Sequence, residues 1–306
     1  MLQHSTASTD DGAGNSRLAK PGCPDKCGNI SISYPFGIGD KGCFLEGFEV
    51  HCPPNNVAIL NTSNAPLLEI NLAFGEVRVQ NYIARACNII ESGYEFLGPI
   101  FWVRRSFMVS RTKNIFTAIG CQTNALIAGD IGTPIEEDGG VEFYGVSECG
   151  LLCLDDSTYM NNISTDCSGG GCCQFELPEY LRSFFPVLRN QSFFTDQNFS
   201  QCSYAFISEK GWFTFHPSYV RPHGFERVYR LDRPPLVLDW VVGNASCEVA
   251  KQMGSAYACA ADNSICIDVP GAPGYRCNCS PGYEGNPYLD GGCTGQHNHP
   301  LSIIYL

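Results

Sequence analysis

The chain has 306 residues, 44% of them hydrophobic, which is enough for substantial packed cores. Only 16% are charged, and the formal net charge is −12. A surface with that balance repels phosphodiester backbones and anionic membranes, which excludes nucleic-acid binding as a leading reading.

Residues 1–20, "MLQHSTASTDDGAGNSRLAK", are polar and small and are expected to be disordered. They contain no apolar h-region, so they do not read as a signal peptide. No apolar run reaches the roughly 18 residues that a membrane-spanning helix needs. From 23 to 243 the segments "ISISY", "FEVHC", "LLEINL", "EVRVQNYI", "NIFTAIG", "VEFY", "CSYAFIS", "WFTF" and "LVLDWVV" are short and rich in β-branched and aromatic residues. Bounded by Gly, Pro or Asn, they predict strands. Helical periodicity is confined to "PEYLRSFF" and "CEVAKQM". The fold class is therefore all-β.

Charge divides the body. Residues 77–125 hold Arg78, Arg85, Arg104, Arg105, Arg111 and Lys113 against Glu91 and Glu95, whereas 126–180 hold acids and no Lys or Arg. The contrast suggests two small β-domains in tandem, 21–127 and 128–243. A cysteine-dense module, 244–293, and a tail, 294–306, follow them.

The 18 cysteines are even in number and dense, as in disulfide-braced secretory proteins. The rival is zinc, because Cys23/Cys27 and Cys149/Cys153 are C-x₃-C pairs, but no matching histidine pair accompanies them. Asn-x-Ser/Thr acceptors at Asn29, Asn61, Asn162, Asn190, Asn198 and Asn244 agree with an oxidising, glycosylating compartment. Asn278, wedged between two cysteines, is a weaker acceptor.

Gly37, Gly39 and Gly42 in "YPFGIGDKGC" have the G-x-G-x-x-G spacing of a nucleotide-phosphate loop. Such a loop must open a helix. Here the strand-like "CFLEGFEVHC" follows, and the VAIK, HRD and DFG motifs of a kinase are missing. The glycines are expected to serve a turn, through positive φ or close backbone approach. No nucleophile elbow or zincin motif is present. The pair Asp155/Asp156 would point to opposite faces of a strand. No catalytic residue, cofactor or resident metal is assigned.

Several motifs follow one another along the chain: "CPDKCGNISISYPFGIGDKGCFLEGFEVHC", "FTAIGCQTNA", "CSGGGCCQ", "CSYAFI", "LVLDWVVGNASCEVA" and "YACAADNSICIDVPGAPGYRCNCSPGYEGNPYLDGGC". Together they resemble the extracellular region of plant wall-associated receptor kinases, namely a galacturonan-binding domain (here 21–127) followed by an EGF-like repeat (here 244–293). The resemblance implies the pairing Cys247–Cys266, Cys259–Cys277 and Cys279–Cys293. Many EGF-like modules bind calcium through acids ahead of the first cysteine, and "VVGNAS" offers none. The family's second EGF-like repeat, membrane anchor and kinase are expected to be absent, because "TGQHNHPLSIIYL" follows Cys293.

The resemblance implies a protein of the extracellular face or cell wall that binds pectin, chiefly de-esterified homogalacturonan. Arginine grips a carboxylate bidentately, so the basic window becomes the expected site: Arg78, Arg85, Arg104, Arg105, Arg111 and Lys113, with Trp102 stacking on a sugar. Arg104 and Arg105 would face opposite ways in a strand. Calcium bridging through 126–180, a protein or peptide ligand, and a soluble decoy of the full receptor are the alternatives.

Overall fold

A computed structural model of the chain describes residues 18–87, 96–131, 144–153, 165–190 and 199–295. Among these residues the structure is predominantly antiparallel β-sheet with short helices. All 18 cysteines are paired in nine disulfides, which removes the zinc reading.

One six-stranded sheet runs, in spatial order, Val50–His51, Ile59–Leu60, Ala65–Asn71, Glu76–Gln80, Pro235–Trp240 and Phe107–Val109. A second takes Cys172–Phe175, Asn114–Ile119, Cys202–Glu209 and Ala84–Cys87. A third takes Tyr144–Leu151, Thr123–Asp130, Ser183–Asn190 and Phe96–Leu97. Alternation along "EVRVQ" buries Val77 and Val79 and turns Arg78 outward, as a half-buried strand requires. Cys202–Glu209 is buried along nearly its whole length, as befits a central strand.

These pairings correct the tandem two-domain expectation. The boundary at 127/128 falls inside Thr123–Asp130. Pro235–Trp240 lies between Glu76–Gln80 and Phe107–Val109, and Ala84–Cys87 pairs with Cys202–Glu209. Cys87–Cys202 and Cys121–Cys153 also cross the boundary. The segments 21–127 and 128–243 therefore interleave. Charge composition reports the surface, whereas strand pairing is decided by buried residues, so the charge contrast carried no information about the core.

"PEYLRSFF" is a turn leading into the strand Ser183–Asn190 rather than a helix, and Phe184 is buried against Phe101 with ring centroids 5.3 Å apart. "WFTF" is a loop whose Phe213 and Phe215 pack into a second core around Phe206 and Phe225. "CEVAKQM" does open a helix, Cys247–Lys251, and the Ser246 hydroxyl caps it by accepting from the Val249 amide. The module from Cys247 onward contains this helix, a short 3-10 helix at Gly254–Ala256 and two small hairpins. Its disulfides are Cys247–Cys266, Cys259–Cys277 and Cys279–Cys293, the pairing that the resemblance implies.

No helix starts in the glycine motif. The Gly37 amide donates to the Phe48 carbonyl, and the Val50 amide donates to that of Gly37. A Cβ on Gly37 would collide with the Cys43 carbonyl oxygen, next to the Cys23–Cys43 disulfide. Gly39 has φ +100°. Gly42 has open space and an ordinary φ. Gly37→Ala is therefore expected to destabilise the fold by about 1–3 kcal/mol, as overpacking does. Gly42→Ala should cost less than about 0.5 kcal/mol. Denaturant midpoints measure both, and equal midpoints would contradict this account of the turn.

Candidate ligand-binding groove

Phe101 is anchored to Phe184 by reciprocal backbone hydrogen bonds of 2.8 and 3.0 Å. From there the chain alternates: Phe101 and Val103 are buried, while Trp102 and Arg104 are exposed. The Phe107 amide then donates to the Arg104 carbonyl, which closes a turn. The turn breaks the alternation, so Arg105 is exposed as well. Both arginines line one groove with Trp102, in a turn rather than the strand in which they would face opposite ways. The Arg104 amide also donates to the Thr62 hydroxyl at 2.8 Å, tying the turn to the six-stranded sheet.

The groove holds about 940 Å³, within the range of ligand sites, and Lys20 and Arg182 line it too. Lys20, Arg104, Arg105 and Arg182 have no carboxylate within ion-pair distance among the described residues. Glu46 and Asp130 are the acids of the lining, so positive charge prevails. The Lys20 ammonium sits 4.5 Å from the centroid of the Tyr34 ring.

The other four cations of the basic window are elsewhere and are neutralised. Arg78 pairs with Glu209 at 2.7 Å and Glu69 at 3.2 Å. Arg111 pairs with Glu179 at 2.5 Å, and Lys113 with Glu76 at 3.4 Å. Arg85 lies 3.8 Å from Glu226 and over the Tyr229 ring. Hydrogen bonds from His223 and Arg230 hold the Glu226 carboxyl down at about 2, so Arg85 keeps its partner in mildly acidic solution. The window therefore splits into Trp102, Arg104 and Arg105 at the groove and four paired cations outside it.

Sequence reasoning missed Lys20 and Arg182. Lys20 falls within the segment 1–20 that composition marks as disordered, yet it lines the groove. Arg182 lies outside the 77–125 window, and only strand pairing of Ser183 with Asp130 brings it near.

Among the acceptor asparagines, Asn29 and Asn61 are exposed, and Asn61 donates to Glu49 at 2.7 Å. Asn244 is exposed and lines the groove. Asn190 ends a strand, while Asn162, Asn198 and the Asp155/Asp156 pair lie outside the described residues. Among the described residues no three His, Cys, Asp or Glu side chains are placed to hold a metal ion. No helix among them is long and apolar enough to cross a membrane.

Fold and groove together define a disulfide-braced β-protein with a three-disulfide C-terminal module and a cationic, aromatic-bearing groove. Residues 23–81 match the family model described as wall-associated receptor kinase galacturonan-binding. The chain is 32% identical over 286 residues to wall-associated receptor kinase 2 of Arabidopsis thaliana, a match covering 89% of this chain and 34% of that protein. It is 30% identical to wall-associated receptor kinase 1 and 28% identical to wall-associated receptor kinase-like 10 of the same plant, over 89% of this chain and 34% and 38% of theirs. The chain is thus similar to wall-associated receptor kinases over most of its own length, with residues 23–81 matching the galacturonan-binding model, and it spans about a third of the length of the curated relatives it matches. No solved structure matches it.

Proposed function

We propose that this chain is a non-catalytic, pectin-binding region of a wall-associated receptor at the outer cell face, and that de-esterified homogalacturonan binds in the groove at Trp102, Arg104 and Arg105. One observation carries the reading: these two guanidiniums and the groove's other cations lack carboxylate partners among the described residues, while Arg78, Arg85, Arg111 and Lys113 have them. An unpaired guanidinium has its bidentate face available for a galacturonate carboxylate. Trp102, 45% exposed, offers a flat apolar surface for a sugar ring.

Exposed ion pairs contribute about 0–1 kcal/mol each. Useful affinity then requires several contacts along one polymer and many repeats of it. A glycan array probed with the oxidised chain at low and high salt tests this. Signal is expected on de-esterified oligogalacturonides, strongly reduced by salt and weak on methyl-esterified ones. Equal binding to both forms, or signal insensitive to salt, would overturn the reading.

A further inference from the structure

The matched domain, 23–81, supplies only part of the groove. Its remaining walls include Arg182, just ahead of the third sheet's strand Ser183–Asn190, and a stretch from the EGF-like module, with Asn244, Tyr257 and Ala258 in the lining. Tyr257 is half-buried, and its ring stacks on Tyr275 with centroids 5.7 Å apart at 25°. The aromatic pair thus stands in the same groove as Trp102.

The module is fastened where it meets the groove. Asn286 is 1% exposed, and its side-chain amide donates to both the Leu18 carbonyl, at 3.0 Å, and the Tyr34 carbonyl, at 2.8 Å. Its own Oδ1 accepts from the Tyr288 amide at 3.0 Å. The Tyr34 amide in turn donates to the Leu18 carbonyl at 2.8 Å. One buried amide of the EGF-like module therefore holds both the segment that carries Lys20 and the tyrosine beneath the Lys20 ammonium. Tyr275 exchanges backbone hydrogen bonds with Val242, Tyr288 packs on Trp240 at 5.6 Å, and Arg276 and Asn278 donate to the Phe74 and Ala73 carbonyls. These contacts make the module a fixed wall rather than a bead on a linker.

We infer that the EGF-like module completes the acidic-glycan site: Tyr257 and Lys20 contact the bound uronate chain, and Asn286 is a positioning residue that holds Lys20 in place. The inference rests on the groove being the polyuronide site. An anionic oligosaccharide seated there bridges the β-body and the module, so ligand binding and module docking reinforce one another.

The test measures affinity of the full oxidised chain for a de-esterified oligogalacturonide at several salt concentrations. The variants are Tyr257→Ala, Lys20→Glu and Asn286→Asp, with Arg104→Glu/Arg105→Glu as reference. Tyr257→Ala is expected to weaken binding about three- to tenfold through lost ring contact. Lys20→Glu is expected to weaken it about tenfold and to flatten the salt dependence. Asn286→Asp removes the two donors, and it should flatten the salt dependence as Lys20→Glu does, with no further flattening in the double variant. A merely structural loss would lower affinity without that shared salt signature. If Asn286→Asp fails to fold, Tyr257→Ala and Lys20→Glu decide alone. Both within twofold of the parent, while the reference abolishes binding, would overturn the composite site and leave the groove assignment standing. A reference variant that still binds normally would overturn both.

Discussion

Replacing Arg104 and Arg105 together by glutamate is expected to lower affinity for de-esterified oligogalacturonide by about a hundredfold or more. Each reversal removes a charge-assisted contact and adds a repulsion, and together about 3 kcal/mol is a modest demand on two such changes. Both side chains are exposed in the groove and have no carboxylate partner among the described residues. The fold should therefore tolerate the change with an unaltered melting temperature. Arg111→Glu/Lys113→Glu adds the same charge, but at side chains that already pair with Glu179 and Glu76 outside the groove. That variant should lose about threefold or less, through long-range repulsion that salt removes. Isothermal titration of the two variants separates local contact from net charge. Equal losses in both would mean that overall charge, not the groove, controls binding.

Trp240→Ala is expected to be the most damaging core substitution. The side chain is fully buried, and its ring meets Phe36, Phe48 and Tyr288 at centroid distances of 5.4–5.6 Å. It joins the glycine-bearing turn, the six-stranded sheet and the three-disulfide C-terminal module in one cluster. Truncating a buried tryptophan costs about 3–5 kcal/mol, a large share of the roughly 5–15 kcal/mol that holds an ordinary domain together. A chain of this size should melt on the order of 10 °C lower. Because Tyr288 packs on this ring, oligogalacturonide affinity should fall as well, although Trp240 does not line the groove. Non-reducing thermal unfolding measures the effect, and a shift of only a degree or two would show that the cluster is not the joint described.

Much of the fold could be read from residue pattern. "EVRVQ" and "CSYAFIS" alternate or run apolar as strands must, and both are strands. Ser246 ahead of "CEVAKQM" is a helix cap by its chemistry. The glycine motif was legible for the same reason, since a bonded cysteine and a strand cannot follow a phosphate loop. Non-local pairing was not legible. Nothing local to "PEYLRSFF" announces that Phe184 finds Phe101 across a sheet, and tertiary packing overrode its helical spacing. Nor does the primary structure place Pro235–Trp240 between Glu76–Gln80 and Phe107–Val109.

The candidate site followed the same rule. Trp102, Arg104 and Arg105 were reachable from composition because they lie in one short exposed turn. Arg78, Arg85, Arg111 and Lys113 looked equivalent until strand pairing and helix packing brought Glu209, Glu226, Glu179 and Glu76 against them. Lys20 and Arg182 reach the groove from segments distant in sequence, and no window of residues contains all four cations.

Amide hydrogen exchange on the oxidised chain, with and without de-esterified oligogalacturonide, tests the central claim most directly. Protection is predicted over residues 102–106, extending to the groove walls at 182–183 and 256–258. Protection centred on Arg78, Arg111 and Lys113, with residues 102–106 unchanged, would contradict it.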